Sequence, residues 1–122
     1  MTTKKFSFRE YQVYRDSKNL FSNILRIVKR IPKEYRYELG SQVVRSSLSV
    51  VLNIAEGCGR SSSKELNRFL DISLGSLYEV LATCDVLCDN KLISQKEFDE
   101  IHDEVSNISN QLGGFKKKVM KS

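Results

Sequence analysis

Few side chains in this sequence could carry covalent or metal chemistry, and their spacing argues against it. His102 is the only histidine, and at helical spacing it shares a face with Asp99 and Asp103, where it reads as a surface residue. Cys84 and Cys88 lie four apart and would share one helical face, but structural zinc takes four soft ligands and no second pair follows. With Cys58 they make an odd count set among apolar neighbours, the pattern of reduced, buried thiols. Gly57 and Gly59 come just before a helix, yet they follow another helix rather than a strand and lack the Lys-Ser/Thr ending of a phosphate loop. No Arg stands at ribonuclease spacing before the histidine, and the acids around 97–104 fit a solvated helix face better than a two-metal nuclease site. The expectation is a protein without catalytic residues, metal or cofactor.

The cations are more informative. Net charge is +5 at neutral pH and unevenly spread: residues 1–68 hold 14 Lys/Arg against 6 Asp/Glu, residues 69–115 hold 2 against 9, and residues 116–122 hold 4 against none. A basic first half asks for a polyanionic partner, and the acidic stretch can answer it within a subunit or between subunits. Arg15, Lys18, Arg26, Lys29 and Lys33 fall roughly on one helical face opposite an apolar stripe, with Arg30 and Arg36 nearby. Arg60 and Lys64 flank the start of a later helix, where open N–H groups and the helix dipole favour an anion, and Arg68 follows one turn on. Lys116, Lys117, Lys118 and Lys121 form a basic tail. Side chains that meet only phosphate carry no base information, so the expected binding is to nucleic acid without sequence readout.

What must position these groups is helical. Apolar residues recur at three- and four-residue steps and strand alternation is absent, so the chain reads as four helices. The first covers about 11–30, with Val13, Leu20, Ile24, Ile27, Val28 and Ile31 as its stripe and Pro32 ending it. The second covers about 37–56 and breaks at Gly57-Cys58-Gly59. Ser62-Ser63-Lys64-Glu65 opens the third as a capping box, and it runs to about 89. Ser94-Gln95-Lys96-Glu97 opens the fourth, which Gly113-Gly114 weakens. Connections this short set neighbouring helices antiparallel, which predicts an all-α, up-down-up-down four-helix bundle forming a single domain over residues 1–122. No apolar stretch approaches the roughly 18–20 residues that cross a bilayer, and the first ten residues carry charge, so the expected location is the cytoplasm and no membrane contact is expected.

Two of these helices carry more apolar surface than one bundle can hide. Leu66, Phe69, Leu70, Leu74, Leu77, Val80, Leu81, Cys84, Leu87 and Cys88 already make a full stripe on the third. On its other side Ile72, Gly75, Ala82 and Val86 form a second seam, interrupted by Glu79. Gly75 costs about 1 kcal/mol against Ala there, which suits a close approach by another backbone. The second helix spreads Leu39, Val43, Val44, Leu48, Val50, Val51, Leu52, Ile54 and Ala55 over more than half its circumference and leaves Gln42, Arg45, Ser46, Ser49, Asn53 and Glu56 as a narrow polar stripe. A subunit of this size covers one stripe per helix, so the surplus predicts a homo-oligomer with Ile72, Gly75, Ala82 and Val86 at its interface.

The opening 11–20, Ile31-Pro32-Lys33, the run Asn53-Ile54-Ala55-Glu56-Gly57-Cys58-Gly59-Arg60-Ser61-Ser62 and Arg68-Phe69-Leu70-Asp71-Ile72-Ser73-Leu74-Gly75-Ser76-Leu77-Tyr78-Glu79 together resemble one family. It is the four-helix-bundle protein encoded within intervening sequences of bacterial 23S rRNA genes, a family that takes in the accessory variability proteins of diversity-generating retroelements. The likeness spans about residues 8–118. It implies a ring of subunits, a homopentamer, with a basic surface and no enzymatic activity; in the retroelement branch it further implies binding to a reverse transcriptase and its template RNA, so RNA is the expected nucleic acid, with a protein-interaction scaffold that docks the reverse transcriptase or another partner as the alternative reading. Tyr14 stands where the family has Trp, and Cys58 where an aromatic is usual; neither is a candidate phosphate contact.

Overall fold

The computed structural model describes residues 5–121. A short 3-10 turn, Ser7–Glu10, leads into α1, Gln12–Val28; α2 spans Ser41–Cys58, α3 Ser63–Asp89 and α4 Gln95–Lys121. No strand occurs among the described residues. Between α1 and α2 lie a helical turn at Lys33–Tyr35 and a π-helical stretch at Arg36–Gly40. Helical backbone therefore starts just after Pro32, earlier than the apolar periodicity places it, because the proline that stops one helix leads directly into the next.

The serines mark where α3 and α4 begin. Ser62 Oγ accepts from the Glu65 amide at 3.1 Å. At α4 the box closes both ways: Ser94 Oγ accepts from the Glu97 amide at 3.1 Å, and Glu97 Oε1 accepts from the Ser94 amide at 2.8 Å. α4 does not weaken at Gly113-Gly114. Leu112 and Val119 are buried, and the Phe115 ring meets Tyr11 edge-on at 5.9 Å. Burying such side chains is worth about 1.5–3 kcal/mol each and outweighs the roughly 1 kcal/mol that each glycine costs. The basic tail is thus the last turns of a helix.

Cross-helix hydrogen bonds set the directions. Between α2 and α3, Gln42 and Ser46 reach Glu79, Ser49 meets Ser76, and Ser73 donates to the Val50 carbonyl. Between α1 and α4, Asn107 and Gln111 donate to Asp16 and Asn23 donates to Glu104. Between α3 and α4, Lys116 pairs with Asp71, and Cys88 lies 3.8 Å from Gln95. In each pair residue numbers rise along one helix as they fall along the other, so the four helices alternate in direction. α1 packs on α2 and α4, and α3 packs on the same two from the opposite corner.

The core they enclose includes Leu20, Ile24, Val43, Val50, Ile54, Leu70, Leu77, Ile101, Ile108 and Leu112, all fully buried. Two glycines let α2 approach its neighbours: a Cβ on Gly40 would meet Val28 Cγ1 at 2.7 Å, and one on Gly57 would meet Phe69 Cβ at 2.9 Å.

Candidate nucleic-acid interface

The helical turn places Arg15, Lys18, Arg26 and Lys29 on the outer side of α1, opposite its buried stripe, and all four are exposed. Lys33, also exposed, begins the helical run that follows. Lys18 rests over the Tyr14 ring at 5.0 Å, and Arg15 donates to Gln12 Oε1 at 2.9 Å. Where α1 borders α4, the acidic segment answers the basic one inside the subunit: Arg30 pairs with Glu97, and Arg26 lines a groove with Asn23, Glu100 and Glu104. Burial works against the charge of Asp16, but amide donors from Gln111, Gln12 and Asn107 outweigh it and hold the carboxyl below its ordinary range. Glu104 goes the other way. Desolvation pushes its carboxyl up despite the bond from Asn23, and Glu100 adds to the rise.

The α2–α3 turn gathers the second group. Arg60 and Arg68 both lie over the buried Phe69 ring, each with its Cζ 4.6 Å from the ring centre. Arg60 also pairs with Glu56 at 3.1 Å and Arg68 with Glu65 at 3.2 Å, and the Arg68 bond holds the Glu65 carboxyl low. Lys64 makes no ion pair among the described residues. Because α4 runs antiparallel to α3 and Lys116 pairs with Asp71, the residues that follow, Lys117 and Lys121 among them, run alongside the first turns of α3. Turn and tail, far apart in sequence, occupy one end of the bundle. α1 and α3 sit at opposite corners, so the eight candidate cations form two surfaces rather than one.

Ile72, Gly75, Ala82 and Val86 are all exposed, Ile72 at 39 % and Val86 at 55 %. No heavy atom lies within 4 Å of a Cβ built on Gly75. Glu79, which interrupts this seam in the sequence, is held toward α2, where its carboxylate accepts from Gln42 at 2.9 Å and Ser46 at 2.6 Å. At helical steps the seam continues into Arg68 and Lys64. The polar stripe of α2 is split: Ser46 is buried and Ser49 half-buried against α3, and Gln42 reaches Glu79 there, while Arg45 and Glu56 stay exposed together with Leu48 and Leu52, the latter at 52 %. Nothing in the α2 sequence alone reveals this split; its signal lies on α3, where Ser73, Ser76 and Glu79 supply the polar partners.

All three cysteines are free. Cys84 is buried and desolvation pushes its thiol up to about 12, whereas Cys58 and Cys88 are half-buried. His102 is exposed beside Asp103. Among the described residues no helix is long and apolar enough to cross a membrane.

Alternating helices, outward cations and two exposed apolar stripes define a small basic four-helix bundle. Over residues 9–114 the chain matches the family described as 23S rRNA-intervening sequence protein, and it belongs to that family. A crystal structure at 1.70 Å of a protein with unknown function from the S23 ribosomal protein family of Bacteroides thetaiotaomicron has the same fold, with a TM-score of 0.80 and 21 % identity, covering 86 % of this chain and 98 % of that one. No curated protein matches the chain.

Proposed function

We propose that the protein is a non-enzymatic, homo-oligomeric nucleic-acid-binding protein of the cytoplasm that takes RNA through its phosphates. One observation carries this: which charges are already engaged. Asp16, Glu56, Glu65, Asp71, Glu79, Glu97 and Glu104 each receive donors from their own subunit. Lys18, Lys29, Lys33 and Lys64 make no ion pair among the described residues, and Arg26 faces Glu104 across the α1–α4 groove. With a net charge of +5, these outward lysines are available to a polyanion. Membership of the 23S rRNA-intervening sequence family supports RNA as the ligand, and the exposed stripes of α2 and α3 support association into a ring, of five copies on the family likeness. Association would multiply the cationic surfaces presented to one strand.

The test is a titration of purified protein with structured RNA, duplex DNA and single strands at two salt concentrations. Log affinity should fall with log salt by about 0.7–0.9 per phosphate contact, and a slope near zero would refute the proposal. Replacing Arg26, Lys29 and Lys33 together by Glu should weaken binding with helicity unchanged. Sedimentation should give a species several times the 14.0 kDa chain.

A further inference from the structure

Helical backbone runs unbroken from Lys33 through α2, with its π-helical stretch between Arg36 and Gly40. A π turn takes up an extra residue, so side chains four apart stay in line across it instead of drifting round the helix. Lys33, Tyr37, Ser41, Arg45, Leu48 and Leu52 consequently form one outward row, and every one of them is exposed. Tyr37 stands furthest into solvent: at 85 % it is more exposed than any other large hydrophobic side chain among the described residues. No ring contact or hydrogen bond involves its side chain among those residues, and neither Lys33 one turn before it nor Arg45 two turns after it makes an ion pair.

The backbone that carries this ring is fixed. Arg36 donates from Nη2 to the carbonyls of Lys29 at 3.0 Å and Ile31 at 3.1 Å, and from Nε to Ile31 at 3.2 Å; Gly40 packs against Val28. An exposed aromatic ring on a held backbone, between two unpaired cations, matches what one strand of nucleic acid offers, a free base face with phosphates on either side. A duplex offers no such face, because its bases are already stacked on one another.

We infer that the part of this row from Lys33 to Arg45 binds single-stranded nucleic acid, with Tyr37 stacking a base and Lys33 and Arg45 meeting the phosphates beside it, while Leu48 and Leu52 beyond it belong to the stripe proposed for association. The inference rests on the nucleic-acid function proposed above and adds to it the strand state and the ring that selects it. Lys33 and Arg45 are about 18 Å apart along the axis at 1.5 Å per residue, room for a short stretch of strand over the tyrosine.

The full-length protein, with Tyr37→Ala and Tyr37→Phe variants, is titrated with a labelled single-stranded RNA and with the same strand annealed to its complement, and each protein is sedimented. Tyr37→Ala should weaken single-strand binding about tenfold and leave duplex binding within about twofold; Tyr37→Phe, which keeps the ring, should bind like the parent. Equal losses on both ligands, no loss on either, or failure of Tyr37→Phe to restore binding would each overturn the inference. A changed sedimentation profile for Tyr37→Ala would also overturn it, by making the ring an intersubunit contact. Parent protein that binds duplex only would defeat this inference and spare the broader function; parent protein that binds neither ligand would defeat both.

Discussion

Gly75 tests whether the exposed stripe of α3 packs against another subunit, as proposed. It lies in the interior of α3, where Ala is favoured over Gly by about 1 kcal/mol. Since a Cβ there meets nothing within 4 Å, no clash inside the subunit offsets that gain. Gly75→Ala should therefore stabilise the separated subunit by about 1 kcal/mol, a rise in Tm of roughly 3–5 °C for a chain of this length. Between subunits the sign reverses. A methyl group thrust into a close helix contact costs about 1–3 kcal/mol, which raises the dissociation constant roughly 5- to 150-fold. Thermal unfolding and sedimentation over a wide concentration range read both effects: the variant should be the more stable protein when dilute and the weaker associator when concentrated. Gly57→Ala is the internal control. Its Cβ would meet Phe69 Cβ at 2.9 Å and the Leu66 carbonyl at 3.3 Å, so it should cost the subunit about 1–2 kcal/mol net of helix propensity. A Gly75→Ala protein that melts higher at every concentration with association unchanged would refute the claim that the stripe is an interface.

Glu104 gives a pH prediction. Burial raises its folded carboxyl above the ordinary 4.5, so its contribution to stability is full below that value and is lost as pH rises through the folded one. Glu104→Gln should thus melt above the parent at pH 7 and with it near pH 4, and a difference that ignores pH in thermal melts would refute the assignment. Cys84, at about 12 against an ordinary 9.0, holds about a thousandfold less thiolate than a free cysteine; iodoacetamide at pH 8 should spare it in the folded protein, as mass spectrometry would reveal. Ser62→Ala removes the acceptor for the Glu65 amide and should cost about 1 kcal/mol in urea unfolding; no change would mean that the cap is idle.

What could be read from the residues is what depends on near neighbours. The boxes at Ser62 and Ser94 are local chemistry, and both sit where the pattern puts them. The α1 stripe from Val13 to Ile31 is buried as its period requires. Features that depend on distant residues were hidden. Gly113-Gly114 reads as a weak point until Val119 and Phe115 are seen packed beyond it. Ser46 reads as solvent-facing polarity until Glu79 of the next helix is placed against it. Lys117 and Lys121 join the cations of the α2–α3 turn only once α4 is known to run back along α3. The outward position of Tyr37 follows from a π turn that carries no signature in composition.

That turn also leaves the interval between Pro32 and Ser41 one residue longer than an α-helix would need. Loss of one residue there would let the backbone relax to 3.6 residues per turn, and the elements on either side would keep their phase about the axis of α2. α1 would keep its seat on α4, with Asp16 still accepting from Asn107 and Gln111. Deletion in this spacer would reorder the side chains that face outward and spare the bundle.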